Sequence, residues 1–425
     1  MPSSPSIGQK RERARYTPLP CDLETNGRVR VVHLITSLDV GGAERMLAKL
    51  LETMPRDEFD SHVVTLCDEG ALAPCVRRLG LGVTALGLRR GEFNPIALRR
   101  LGSILAEREP DLIQAWMYHS NVAASLARPW LSDQTGIVWN IRQSLYCINK
   151  ERYLTQAVIR SGSLMAPHAD ALVNNSHVSR QQHETYGYAN RRSVVIPNGF
   201  DLERFQPDSR ARAEFRSELG LGEAAIVVGI VARVHPDKDH ALFFRAAEKA
   251  LARDARLHFV CVGRDTDSYE ECTRASQGAL RGRLHLLGLR DDIGRVMAGF
   301  DMLVSSSATE GCPNCIGEGM ASGLAVIGTD VGDTAAVIGP AGRVVARGDD
   351  DQLADAIRAL AAVSPTERRL LGDSARERIR RHFSIESVAA DYAQLYRDVR
   401  DQRQGRRNTR RDVSSHRATS TTANS

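Results

Sequence analysis

Two successive α/β halves, each an open parallel sheet wound with helices, form the architecture that this 425-residue sequence predicts. Three observations lead there. Short apolar runs of strand length alternate with helical stretches from Arg28 to Ile327, the pattern of parallel strands joined by crossover helices. That pattern restarts after the turn-rich connector Pro197-Asn198-Gly199-Phe200-Asp201. The length suits two domains.

Arg28–Thr36 (RVRVVHLIT) reads as the first strand, and the loop SLDVGG leads from it to a helix over Ala43 to about Met54. Further strands are expected at His62–Leu66, Leu112–Ala115, Ile137–Ile141, Ala171–Asn174 and Ser193–Ile196. Beyond the connector come Ala225–Val231, His258–Val262, Leu284–Leu287, Met302–Val304 and Ala325–Ile327. A Ser-x-x-Ser start opens a last helix, Ser384–Val399.

Composition narrows the function classes. With 42% hydrophobic and 26% charged residues the chain reads as an ordinary globular protein, and no apolar run approaches the ~20 residues that cross a bilayer. The first twenty residues lack the apolar core of a secretory signal. Eight scattered cysteines show no disulfide framework, which points to a reducing cytoplasm. The net charge of +5 is carried by the ends: +3 in residues 1–15 and +4 in 401–425, against −2 in 16–27, so that 28–400 is neutral. Residues 1–27 and 401–425 are poor in apolar residues, and both read as disordered tails. With aromatics at 5% and no basic-aromatic patch, nucleic acid is not an expected partner.

The chemistry concentrates in SSSATEGCPNCIGEGMASGLAVIGTDVG, Ser305–Gly332. Glu310 should hang on the loop after the Met302–Val304 strand, with Glu318 one to two turns into the next helix and Pro313 in its first turn. Both carboxylates can then face one crevice with free helix amides between them. Carboxylates hold neutral sugar hydroxyls, while amides and a helix dipole hold anionic oxygens, so the site suits a sugar joined to a diphosphate. Arg233 and Lys238, five positions apart in VARVHPDKD after another strand, add a forked donor and a point charge for a pyrophosphate. Gly41 and Gly42 follow the first strand and open a helix, which brings backbone amides close to an anion. No G-x-G-x-x-G is present, so a dinucleotide cofactor is not indicated.

Ser305–Gly332 resembles the signature of the retaining GT-B glycosyltransferases of family four. That signature is Glu, then Gly-x-Pro-Asn, then a second Glu followed by Ala-Met-Ala; here Glu318-Gly319-Met320-Ala321 has glycine for the first alanine. The resemblance implies two Rossmann-like domains facing a central cleft. The acceptor domain would be 28–200 with a returning helix at 384–400, and the donor domain 201–383. It further implies that Glu318 holds the ribose of the nucleotide, Arg233 and Lys238 the pyrophosphate, and Glu310 with the Cys312-Pro313-Asn314 backbone the sugar hydroxyls. Gly41 and Gly42 would lie against the donor phosphates. His119, in WMYHSN after the Leu112–Ala115 strand, would sit beside the reacting sugar, and Arg142 is a candidate for the acceptor. The donor would be a nucleotide sugar such as a UDP-sugar, with neither cofactor nor metal. The acceptor would be a glycan or lipid-linked oligosaccharide of bacterial polysaccharide synthesis, met at the inner membrane face. Arg77-Arg78, Arg89-Arg90 and Arg99-Arg100 are candidate membrane contacts.

Competing signals weigh less. Cys312-x-x-Cys315 lacks the second pair or histidines of a zinc site. Asp265-Thr266-Asp267 could hold a cation, but the Arg233/Lys238 pair already supplies positive charge, so loop capping is expected there. Ala336 stands where the family's Gly-Gly-x-x-Glu carries its acid, which puts supporting donor contacts in question. An epimerase on the same fold, a non-catalytic sugar-nucleotide binder and, more remotely, a nicotinamide oxidoreductase are the alternatives.

Overall fold

A computed structural model describes residues 27–421 except 90, 91, 93, 146, 147 and 149–151, with the backbone alone for 406–421. The first sheet contains Val29–Ile35 (β1), Phe59–Thr65 (β2), Gly82–Ala85 (β3), Leu112–Trp116 (β4), Gly136–Ile141 (β5), Ala171–Asn174 (β6) and Ser193–Val195 (β7). All pairs are parallel, in the order β3-β2-β1-β4-β5-β6-β7. The second sheet contains Ile226–Val231 (β8), Leu257–Val262 (β9), Leu284–Leu286 (β10), Met302–Ser305 (β11), Ala325–Thr329 (β12) and Arg343–Val345 (β13). It is parallel too, in the order β10-β9-β8-β11-β12-β13. The central strands are mostly apolar and buried because helices cover both faces, as parallel sheets require, and the few polar residues in them, such as His33, Gln114 and Asn140, are buried too.

In each sheet the strand order reverses once, between β1 and β4 and between β8 and β11. Ligands of open α/β sheets bind beyond the carboxyl ends of the strands at such a reversal. The segments just beyond those strands carry Gly41 and Gly42, His119 (in the first turn of a helix), Arg233 and Lys238, and Glu310.

The chain crosses between the sheets twice, and the crossings are paired. Phe200 N–H donates to Phe383 O at 2.9 Å, and Ile385 N–H donates to Phe200 O at 3.0 Å. Ser384 then caps the final helix through Ser387 N–H. This helix returns to the first sheet, where Tyr392, Tyr396 and Val399 are buried against Ile35, Trp116 and Val138. Each such apolar side chain removed from water contributes ~1.5–3 kcal/mol before ordering costs.

Three expectations need correction. β3 and β13 were not expected; both are short edge strands in which only Val345 is buried, so their sequences GVTA and RVV carry no clear core pattern. The last helix does not end near Val399 but continues to Thr421, so residues 401–421 are helical, not irregular. Their Arg and Gln are good helix formers and no proline interrupts them. Residues 1–26 and 422–425 of the expected tails lie outside the described residues. Pro313 is the N-cap residue of the helix Asn314–Ala321, not part of its first turn.

Candidate functional site

Two adjoining cavities, of about 740 Å³ and 420 Å³, open between the sheets. Gly42, Arg233, Lys238, Glu310, Cys312 and Asn314 line both, so they are two halves of one cleft. Gly41 and Glu318 line the smaller half, and Arg142 the larger. Pro313 and His119 line neither.

The serines ending β11 build the acidic centre. Ser307 Oγ donates to Glu310 Oε1 at 2.7 Å, and Ser306 Oγ to Lys238 O at 2.9 Å. Thr329 Oγ1 fixes the same turn by donating to Ser307 O. Lys238 Nζ then reaches Glu310 Oε1 at 2.5 Å. Burial pulls the Lys238 ammonium down, but the charge and hydrogen bond of Glu310 more than offset it, and the net shift is upward. Lys238 therefore stays a cation. Arg233, exposed at the end of β8, faces the same space.

Glu318 sits at the fifth position of the Asn314–Ala321 helix. Burial raises its pKa, opposed by Lys49, Arg45 and Arg204. Lys49 is lowered by burial, with Glu318 opposing. It reaches across from the helix Gly42–Thr53, its Nζ 3.5 Å from Gly199 O and over the Phe200 ring. The ring of Phe200 lies in a notch on the Glu318 helix: a Cβ on Gly317 would stand 2.0 Å from Phe200 Cζ.

From the first sheet, Gly42 starts its helix opposite Asn314, whose Nδ2 would lie 3.8 Å from a Cβ there. Asn198 in the connector bridges the lobes, donating to Asn314 Oδ1 at 2.7 Å and to Cys312 O at 3.4 Å. Arg142 donates to Asn198 Oδ1, to Tyr392 OH at 2.9 Å and to Asn140 Oδ1 at 3.3 Å, and it lies over the Trp116 ring. Its fork is therefore tied to the connector, to β5 and, through Tyr392, to the returning helix, at the wall of the cleft. His119 is half-buried at the third position of the helix Met117–Leu126, with its pKa lowered by burial. The chain bends there at Met117, whose φ is 69°. β1 and β4 are neighbours, so this bend and the Gly41-Gly42 loop share one edge of the sheet.

Cys312 and Cys315 are free thiols whose pKa values burial pushes up to about 11, which makes them poor nucleophiles at neutral pH. Among the described residues no group of three His, Cys, Asp or Glu is placed to hold a metal. In the Asp265–Asp267 loop, Thr266 Oγ1 accepts from Gly288 N–H and donates to Gly263 O. Ala336 is exposed and its carbonyl accepts from Arg378, so an acid at that position would point outward. The neighbouring Asp333 makes the cross-lobe contact instead, its carboxylate accepting from the His177 and Val178 amides. Sequence reasoning missed Asp333, Lys49, Asn198 and Ser144. Only Asp333, an acid inside the Gly332-x-x-x-Ala336 segment, offered a signal.

Solved structures share this architecture. HepE of Anabaena in complex with UDP superposes with a TM-score of 0.76 at 20% identity, over 87% of this chain and all of that one. WaaG, a glycosyltransferase involved in lipopolysaccharide biosynthesis, gives 0.66 at 16% identity, over 86% and 99%. The fold is that of the GT-B glycosyltransferases. The family model Glycosyltransferase Family 4 matches residues 40–204, and Glycosyl transferases group 1 matches 225–362. The chain belongs to the family-four glycosyltransferases and is a transferase enzyme. Among its relatives, the putative glycosyltransferase EpsF of Bacillus subtilis is 27% identical over 71% of this chain and 79% of its own length. A D-inositol 3-phosphate glycosyltransferase of Geodermatophilus obscurus is 27% identical over 83% and 85%.

Proposed function

We propose that this glycosyltransferase moves a sugar from a nucleotide-diphosphate sugar, a UDP-sugar in the first instance, with retention at the anomeric carbon. The acceptor is a glycan or lipid-linked oligosaccharide of polysaccharide synthesis. The observation that carries the donor half is the Lys238–Glu310 pair beside Arg233, in the cleft that Glu318 also lines. Arg45, Lys49, Arg233, Lys238 and Arg264 outnumber Glu310 and Glu318 in that half, which favours a diphosphate. HepE was solved with UDP and, separately, with UDP-glucose.

In this reading Glu318 accepts hydrogen bonds from the ribose hydroxyls and Glu310 from the sugar, with the Cys312–Asn314 backbone beside it. Gly41 and Gly42 cover the phosphates. No metal or cofactor is needed, because Arg233 and Lys238 neutralise the leaving diphosphate. The bond from the anomeric carbon to phosphate breaks and the bond to the acceptor oxygen forms on the same face, the departing phosphate taking the acceptor's proton. His119 stands beside the reacting sugar, and Arg142 lines the acceptor half. A panel of nucleotide sugars with anomer-resolved product analysis tests the reading. An inverted product, or epimerised donor without transfer, would overturn it.

Two expectations follow for single groups. His119→Ala and Glu310→Ala should each lower transfer at least tenfold in a folded protein, measured by nucleotide release with an acceptor present. The raised pKa of Glu318 sets a pH signature. Its carboxylate takes a proton above the ordinary carboxylate range, so UDP binding should weaken as pH falls from 7.5 to 5. Calorimetry of Glu318→Gln, which lacks the titrating group, should show weaker binding without that added slope.

The enzyme is proposed to work in the cytoplasm, at the inner face of the membrane. The cysteines Cys75, Cys261, Cys272, Cys312 and Cys315 are free thiols, and no helix among the described residues is long and apolar enough to span a bilayer. Of the paired arginines, Arg77 is held by Glu69, Arg100 reaches Leu86 O at 3.4 Å, and residue 90 lies outside the described residues.

A further inference from the structure

We propose that Asp333 is a positioning residue: it sets the Glu310 loop through a ring of hydrogen bonds that passes twice across the cleft. The ring starts at its carboxylate. Asp333 Oδ2 accepts from His177 N–H at 2.7 Å and Oδ1 from Val178 N–H at 3.1 Å, in the first turn of the nine-residue helix His177–Thr185 of the other lobe. Those amides have no acceptor within their own helix. A carboxylate on a helix N-terminus stabilises it by charge as well as by hydrogen bonds, and Asp333 is only 8% exposed.

From that helix the ring runs to the loop after β5. Ser179 Oγ donates to Gln143 O at 2.8 Å, and Gln182 Oε1 accepts from Leu145 N–H at 2.7 Å. The loop then recrosses the cleft, Ser144 Oγ donating to Glu310 O at 3.0 Å. The circuit closes where Asp333 N–H donates to Gly311 O at 2.9 Å. Gly332 permits this closure: its φ is 56°, and a Cβ there would stand 2.4 Å from Glu310 O. Gln143, Ser144, Glu310 and Gly311 all line the larger half of the cleft. The ring therefore fixes the backbone of the residue whose carboxylate holds Lys238. Asp333 is its one charged link, and it touches neither cavity. Removing it frees one helix end and, through Ser179 and Gln182, the support of Ser144.

The test uses the full chain. Asp333→Ala should speed amide hydrogen exchange at least tenfold in peptides covering 143–145 and 177–179 together, leaving the β8 and β11 peptides unchanged. It should lower kcat at least tenfold while donor KM and the affinity for UDP stay within threefold, because Glu318 and Arg233 lie outside the ring. Asp333→Asn keeps a capping oxygen and should restore most of kcat. Ser144→Ala should reproduce the kcat loss, and the double variant should be no worse than either single one. If Asp333→Ala does not fold, Asp333→Asn and Ser144→Ala decide. Unchanged exchange over 143–145, a kcat within twofold of wild type, or multiplicative losses in the double variant would overturn the proposal. The kinetic arm rests on the donor reading above. A wild-type protein that turned over no nucleotide sugar would defeat that reading, and the exchange arm would still decide the ring.

Discussion

Lys238→Ala is expected to lower kcat/KM a hundred- to a thousandfold, about the loss seen when one preorganised donor to a developing anion is removed. Two effects combine. The leaving diphosphate loses the ammonium that meets its growing charge. Glu310, only 10% exposed, loses its cation and keeps Ser307 as a partner. An unpaired, largely buried carboxylate turns toward water, and it then no longer presents the same acceptor to the sugar. Lys238→Arg should recover part of the activity, since charge is kept but the compact point donor becomes a fork. Steady-state nucleotide release, with thermal unfolding as the control for folding, measures the effect. A Lys238→Ala enzyme within threefold of wild type would remove this residue from the chemistry.

Gly317→Val carries the second large effect, and it acts through packing. Phe200 is fully buried, and its ring occupies the space that any side chain at 317 would need. Overpacking of this kind costs ~1–3 kcal/mol in stability. Its consequence for activity should be larger than that figure suggests. Phe200 is one of the two paired crossings between lobes, and Glu318 is the next residue on the same helix. Displacing the ring moves the ribose-side carboxylate and the connector together. We expect kcat/KM to fall more than tenfold and UDP affinity to fall with it. Phe200→Leu in the Gly317→Val background should return a good part of both. Urea unfolding and calorimetry separate the two losses; wild-type affinity in a destabilised Gly317→Val protein would disconnect the notch from the site.

The central strands were legible because burial on both faces leaves apolar runs such as IVVGIV, or VVHLI broken only by His33. β3 and β13 were not: GVTA and RVV are short and mostly exposed or half-exposed, with little apolar pattern of their own, whereas the other two edge strands, β7 and β10, were expected. The loop positions of Glu310, Lys238 and Arg233 followed from where strands end, and the structure brings these residues together. His119 was placed correctly after β4, yet the cleft wall does not include it. Asn198 and Asp333 show what pattern reading lacks. Their partners lie 116 and about 155 positions away and include backbone amides, which no side-chain spacing reveals. Arg142 reads as a substrate arginine by its loop, whereas Tyr392, 250 positions on, claims one of its nitrogens.

That long return has a price in time during synthesis. A ribosome adding ~5–20 residues per second needs roughly 20–70 s between β1 and Tyr392. Throughout that interval the nascent first lobe exposes the apolar surface around Ile35, Trp116 and Val138 that the last helix covers. The lobe that is made first is thus completed last, and a chain cut short before Ser384 leaves it permanently unfinished, a ready target for holdases and proteases.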